Sequence, residues 1–415
     1  MNSAALRSVK SIDLFLLLAF RFSSAVTCAQ PLAAQAPADG SEKFSPLASS
    51  RQNFLGPGVA LRPPHADAIL LCQKAKKWRG TRPGHFHSKG NNMQNIRLRT
   101  ATDVLAAIPA LLGFVPVNSV VMIALTGSPA TLAFVARTDV IGADAAADYS
   151  TALEQAAVTS VIWVVVGAGP VAAAGLDQIE AAQRELDSRG IRSVRTLVAE
   201  SLEIGAEWFD TNGEESGRTA DPILSEVSMN RIMSGRQTSS SRAEIEARYR
   251  EDTAADMDAA RAAAAEQGED FARNTITEIA AVVRNFEVPS LDLAARAGLC
   301  AAEDPHHRDA MIGIVTISPQ AAADAFGTIA THLRGNYRVQ ILTLAGLAAY
   351  VDGDGAAAGI ALDAASAIGV DPSLTTLLKL LDASRTAGIK PEAIAELATI
   401  GVEVARSMGI DLDTE

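Results

Sequence analysis

The chain has 415 residues, a formal charge of −12, and 48% hydrophobic but only 5% aromatic residues; this apolar content argues against a disordered chain, and the length suits two or three domains of roughly 100–200 residues each. Residues 1–92 hold 12 Lys or Arg against 4 Asp or Glu, and the remainder holds 24 against 44; so acidic a body repels phosphate backbones and argues against general nucleic-acid binding. Of three cysteines only Cys300 lies in the body, which leaves no internal disulfide or zinc cluster there and fits a reducing cytoplasm.

In chain order, Arg7 and Lys10 precede the short apolar run Leu14 to Phe20, and small residues follow near Ala25 to Ala29. This is the outline of a secretory signal, although Asp13 and Arg21 bracket the run. The run is too short to span a bilayer, so no membrane is expected. Further on, Pro63-Pro64, Lys76-Lys77-Trp78-Arg79 and His85-Phe86-His87 show neither helical nor strand period. No third ligand accompanies His85 and His87, so no metal is expected. Three readings compete: a cleaved signal, which would make the protein secreted through residues 1–36; a disordered basic arm; and a start placed too far upstream, with Met93 as the true one. The break in composition favours the third, with residues 1–92 a disordered or spurious extension and the protein cytoplasmic.

Thr102 and Asp103 can cap a helix carrying Val104, Leu105, Ile108, Leu111 and Leu112, interrupted by Pro109 and ended by Gly113. The run Ser119 to Leu125 predicts a buried strand, and Ala130 to Thr138 an antiparallel hairpin partner. A helix over 143–158, a strand over 160–166, a helix over 171–189 and a strand over 191–199 follow. Residues 203–209 suggest one more strand before a polar loop running to Pro222. The alternation predicts an α/β domain over 97–222, with a mixed sheet and flanking helices. From Ser225 the pattern is helical. Ser241-Arg242-Ala243-Glu244 matches a capping box opening a long Ala-rich helix to about Glu266. Helices near 270–286, 291–301 and 319–334 complete a helical region over 223–338. Four more, over 339–350, 355–367, 374–384 and 391–408, form an all-α module over 339–415. Its short loops predict antiparallel neighbours, and residues 339–372 resemble one tetratricopeptide-like helix pair.

Four blocks together resemble the domain-of-unknown-function 4192 family. The first is Ala101 to Asp139, with Ile108-Pro109, Leu112-Gly113-Phe114, Asn118-Ser119-Val120 and Ala136-Arg137-Thr138-Asp139. The second is Ser241-Arg242-Ala243-Glu244 after the Asp221-Pro222 turn, and the third is Arg308-Asp309-Ala310. The fourth runs from Leu342 to Leu381 and holds Gly353-Asp354-Gly355, Ala361-Leu362-Asp363 and Asp371-Pro372. The resemblance covers roughly residues 97–390. It implies actinobacterial or associated phage origin and no established activity.

Few residues carry readable chemistry. Gly167-Ala168-Gly169-Pro170-Val171-Ala172 fits a dinucleotide fingerprint, and Glu200 ends the next strand. Pro170 removes one amide from the cradle, however, so no cofactor is expected. His307-Arg308-Asp309 lacks the companion motifs of a kinase catalytic loop, and Arg308 with Asp309 reads as an interdomain ion pair. Arg137 and Asp139 alternate at a strand end and face one side, as a salt bridge or as part of a site. Asp352, Asp354 and Asp363 fall in a calcium-loop register, but Ala356, Ala357 and Ile360 cannot serve it. A tight helix–helix turn, ended by Gly353 and capped by Asp354, is the expectation. Two functions remain. The first, favoured for want of a nucleophile–base set, is a non-catalytic interaction protein with a protein partner. The second is an enzyme acting on a small or phosphorylated substrate through Arg137, Asp139, Arg308 and Asp309, which requires the two pairs to converge.

Overall fold

The computed structural model describes residues 98, 100–141, 153, 156–213, 215–370 and 375–413, and the backbone of a strand at Asp67–Ile69. Residues His65–Glu415 pack as one compact unit. Among the described residues, seven strands form one mixed sheet: β1 (Asp67–Ile69), β2 (Ser119–Thr126), β3 (Thr131–Asp139), β4 (Ser160–Val166), β5 (Arg192–Ala199), β6 (Glu207–Asp210) and β7 (Ser216–Arg218), in the spatial order β1-β3-β2-β4-β5-β6-β7. The hairpin of β2 and β3 is antiparallel as expected, β2 pairs antiparallel with β4, and β4 pairs parallel with β5. Val120 to Ala124 are fully buried, because the central strand is covered on both faces and so reads as an unbroken apolar run.

Helix α1 (Ala101–Leu112) ends at Gly113, which takes the left-handed conformation at φ 84°. It starts earlier than expected. Thr100, not Thr102, is the cap: its hydroxyl accepts from the Asp103 amide at 3.1 Å and the Asp103 carboxylate accepts from the Thr100 amide at 3.0 Å. Helix α2 (Pro170–Ser188) links β4 to β5 and lays Ile179, Ala182 and Leu186 over Trp163, Met122 and Val165. Gly175 permits the close approach, since a Cβ there would stand 2.7 Å from Val165. The helix expected over 143–158 falls mostly outside the described residues.

Three expectations about this half need correction. Residues 203–209 give a strand only from Glu207. The following loop is not irregular throughout, because β7 pairs with β6 at Glu207↔Arg218. Its three residues are polar or glycine, and a Cβ added at Gly217 would stand 3.0 Å from the Trp208 ring, a fit that leaves no periodic trace. The composition of residues 1–92 predicts no strand, yet Asp67–Ile69 pairs with β3; three residues are too few to show alternation. The other residues of 1–92 lie outside the description, apart from this strand.

Helices fill the rest: α3 (Glu226–Met233), α4 (Arg242–Ala247), α5 (Met257–Gln267), α6 (Asp270–Asn285), α7 (Leu291–Glu303), α8 (Pro305–Ile312), α9 (Pro319–Thr331), α10 (Gly335–Asp352), α11 (Gly355–Ser366), α12 (Thr376–Thr386) and α13 (Pro391–Ser407). The single long helix expected from Ser241 to Glu266 is broken into α4 and α5. Between them the amides of Asp252 and Ala255 donate to the carbonyls of Thr331 and His332, both at 2.9 Å, and Asp256 caps α5. Tertiary hydrogen bonds thus replace a helical propensity worth tenths of a kcal/mol per residue (~0.5). Glu244 also reaches Ser240 rather than closing the box on Ser241. Helix α8 was not anticipated, although Asp304 capping it and Pro305 at its first position are start signals.

Helix α10 is buried on every face, with Arg338, Gln340 and Thr343 among its buried residues, because neighbours cover it all round, chiefly α9 and α11 with α7, α13 and α12. It folds back on α11 with Gly346 against Leu362. The expected neighbour-to-neighbour order fails at the last helix: α13 takes its main packing from α8, the 3-10 turn Gly313–Thr316 and α10. Gly401 and Gly313 let the two backbones touch, a pairing no loop length could reveal.

Candidate functional site

Arg137 and Asp139 do face one side at the end of β3, and they pair with each other. Arg137 is 5% exposed. Its Nε donates to the Ser119 hydroxyl at 2.8 Å, which in turn donates to the Val117 carbonyl at 2.7 Å. Its guanidinium lies 6.0 Å over the buried ring of Phe114. Gln178 of α2 ties the same sheet end down by donating to Thr138 at 2.8 Å and to the Asp139 carbonyl at 3.3 Å. Arg308 and Asp309 are neighbours on α8, paired at 2.9 Å and largely buried. The principal neighbours of β3 are β1, β2 and α1, and those of α8 are α6, α7, α10, α13 and the 313–316 turn. The two pairs therefore occupy separate layers, each arginine with its own aspartate.

The 167–170 turn is crowded at Gly167 and open at Gly169, where an added Cβ would meet nothing within 4 Å. Gly167 has φ 155° and Gly169 φ 52°, and a Cβ at Gly167 would stand 2.6 Å from Val171. The Val171 amide donates to the Ala168 carbonyl, and Pro170 has none to offer. The turn at 352–355 follows the sequence expectation. Gly353 closes α10 in the left-handed conformation at φ 82°, and the Asp354 carboxylate accepts from the Ala357 amide at 3.1 Å. Asp363 meets Arg385 at 3.4 Å and Arg242 at 3.7 Å, joining the second and fourth family-like blocks.

Sequence reasoning missed a cavity of about 580 Å³ where α3 and its following turn face α9, the end of α10 and the start of α11. Its wall carries three arginines, Arg231, Arg236 and Arg248, and three aspartates, Asp324, Asp352 and Asp354, beside Tyr249. Arg236 donates to the carbonyl and carboxylate of Asp352. Arg231 stands 3.6 Å from Asp354 and donates to the Gln237 carbonyl. Burial lowers the pKa of Arg231 and raises those of Asp352, Asp324 and Tyr249. Gly113 underlies the site, because a Cβ there would stand 3.0 Å from Arg231. Among the described residues the wall holds no His, Cys or Ser. Of the lining residues, Ala349, Asp352, Asp354 and Ala357 fall within the fourth block, and Gly113 of the first block lies against Arg231. The arginines come from stretches with no readable motif.

The opposite face of α3 is apolar and uncovered. Met229, Ile232 and Met233 recur at helical spacing, and Ile223 and Leu224 extend the stripe; all five are 48% to 82% exposed. Val227 and Ser228 face inward.

These features define an α/β protein with a mixed sheet and an all-helical second half. The chain belongs to the family described as domain of unknown function (DUF4192), whose model matches residues 102–392. No curated protein and no solved structure matches it. Among the described residues no helix is long and apolar enough to cross a membrane.

Proposed function

We propose that the protein is a non-catalytic cytoplasmic interaction protein that docks a basic amphipathic helix of another protein on the outer face of α3. The exposed stripe Ile223, Leu224, Met229, Ile232 and Met233 carries this reading, since contiguous apolar patches beyond a few hundred Å² mark interaction surfaces. Charge selects the occupant. Residues 93–415 hold 24 basic against 44 acidic side chains, and Asp221 and Glu226 flank the stripe. A second copy would be repelled and a basic partner attracted. Cytoplasmic placement rests on cysteine usage, since residues 93–415 hold one cysteine, Cys300, and so no internal disulfide. In this reading 97–222 is the α/β domain, joined at its sheet edge by the strand Asp67–Ile69, 223–338 a helical region and 339–415 a repeat-like module. The enzyme alternative gains little from pairs that each satisfy themselves.

The test is a titration with a synthetic helical peptide bearing Leu at i, i+3, i+4 and i+7 and Lys elsewhere. Binding should weaken at least tenfold on Ile232→Asp or Met233→Asp while melting stays unchanged. These changes add negative charge, so a weaker hold on a basic peptide isolates the apolar contact. Unchanged binding in the variants, or equal binding of a Leu/Glu peptide, would sink the reading. A concentration-dependent dimer in sedimentation that the same variants abolish would replace the partner with a second copy.

A further inference from the structure

The geometry points to the 580 Å³ cavity as a binding site for a small zwitterion of the amino-acid or dipeptide class, its acid group held by Arg231 and Arg248 and its ammonium by Asp324. The walls exclude greasy ligands. Apart from polar groups they offer only alanine and glycine, including Ala323, Ala349 and Gly327, whereas most small-molecule pockets are lined by large apolar and aromatic side chains.

Hydrogen bonding then divides the charged groups. Arg236 and Asp352 satisfy each other. Arg231 keeps only a long 3.6 Å contact to Asp354 and one bond to a carbonyl, and Arg248 one bond to Ser239 at 2.7 Å. Each has five N–H donors, so most of them remain unspent in bonds to the described residues. Asp324 makes no hydrogen bond or ion pair among the described residues, and burial raises its pKa in spite of nearby Arg248.

Tyr249 supplies the independent sign of a ligand. It is 6% exposed and lines the cavity, and its hydroxyl makes no hydrogen bond among the described residues. The phenol feels the charges of Asp354, Arg248 and Asp324, all on the cavity wall, and a Cβ at Gly327 would stand 3.3 Å from its ring. The hydroxyl is not sealed off but opens to the cavity, where water or a ligand must complete it. Burial raises the phenol's pKa, so at neutral pH it is a donor and an acceptor.

Ligand charge follows from balance. A lone anion would meet three carboxylates, and a polyamine three guanidinium groups. A molecule bearing both signs satisfies Arg248 and Asp324 together. The volume exceeds what one small amino acid fills and suits a dipeptide.

Calorimetry on the full chain tests this with alanyl-alanine, N-acetyl-alanyl-alanine, inorganic phosphate and spermidine. Alanyl-alanine should bind, and acetylation should weaken it at least tenfold. Asp324→Asn should erase the difference between the two peptides. Arg248→Gln should weaken both at least tenfold, and Tyr249→Phe several-fold. Asp324 is exposed at the cavity, so Asp324→Asn should melt no lower than the native chain, whereas Arg248→Gln also gives up the bond to buried Ser239. The proposal fails if no probe gives heat, if phosphate or spermidine binds as tightly as the dipeptide, or if Asp324→Asn leaves the preference for a free ammonium intact.

Discussion

Arg236 donates to both the carbonyl, at 2.5 Å, and the carboxylate, at 2.6 Å, of Asp352, 116 residues further along the chain. The bond pins the turn after α3 to the end of α10. Replacing Arg236 by Met keeps the aliphatic stem and strips a mostly buried carboxylate of its donor. The cost should be about 1.5–3 kcal/mol at neutral pH. Asp352 already titrates above its ordinary value because burial outweighs Arg236, and the variant pushes it higher. The deficit should therefore shrink as pH falls and the carboxyl becomes neutral. Urea unfolding at pH 7 and near pH 4 checks both sign and size.

Asp324 should act in the opposite sense to a salt-bridged acid. Its folded pKa is raised, so its favourable contribution is present at low pH and is lost as pH rises through that value. Asp324→Asn should raise the melting temperature at pH 7. The gain should close near the ordinary aspartate pKa of about 3.9. Melting curves across pH 3.5 to 8 decide it, and a constant offset would refute the linkage.

At the sheet end, Arg137 is 7% exposed at its side chain and Asp139 51%. Removing Asp139 takes a carboxylate from a buried guanidinium, which should cost about 1.5–3 kcal/mol. Arg137→Met leaves behind an acid that water can solvate. The double variant should therefore cost less than the two singles summed, with a coupling of about 0.5–3 kcal/mol. Additive losses in denaturant titrations would deny the pair.

Leu344 and Leu378 are both buried, at 0% and 4% exposure, but in different settings. Helix α10 is surrounded, whereas α12 packs on α11 and α10 and adjoins β1. Truncation to alanine should cost about 2–5 kcal/mol at either position, with Leu344 at the top of the range and Leu378 near the bottom. A reversed order in unfolding free energies would mean that α12, not α10, anchors the helices.

Gly401→Ala should be among the most damaging small changes. A Cβ there would overlap the Gly313 nitrogen and stand 2.8 Å from the Asp309 carbonyl oxygen. Backbone cannot step aside as a side chain can, so the cost should reach about 3 kcal/mol or more. Because α13 docks through this crossing, limited proteolysis should begin to cut within 391–413.

The sequence by itself determined whatever is decided within a few residues. Val120 to Ala124 read as a buried strand because every position is apolar, and Gly113, Gly353 and Asp354 announced helix ends through backbone conformations and bonds that span one turn. Arg137 and Asp139 fell on one face because a strand alternates. Tertiary structure alone decided the break between α4 and α5, where the Thr331 and His332 carbonyls capture amides that a helix would have used. It alone seated α13 on Gly313, and it alone gathered Arg231, Arg236 and Arg248 opposite Asp324, Asp352 and Asp354. The physical reason is common to all three. A hydrogen bond or close approach between distant segments depends on where two backbones meet, and no single stretch of sequence carries both halves of that contact.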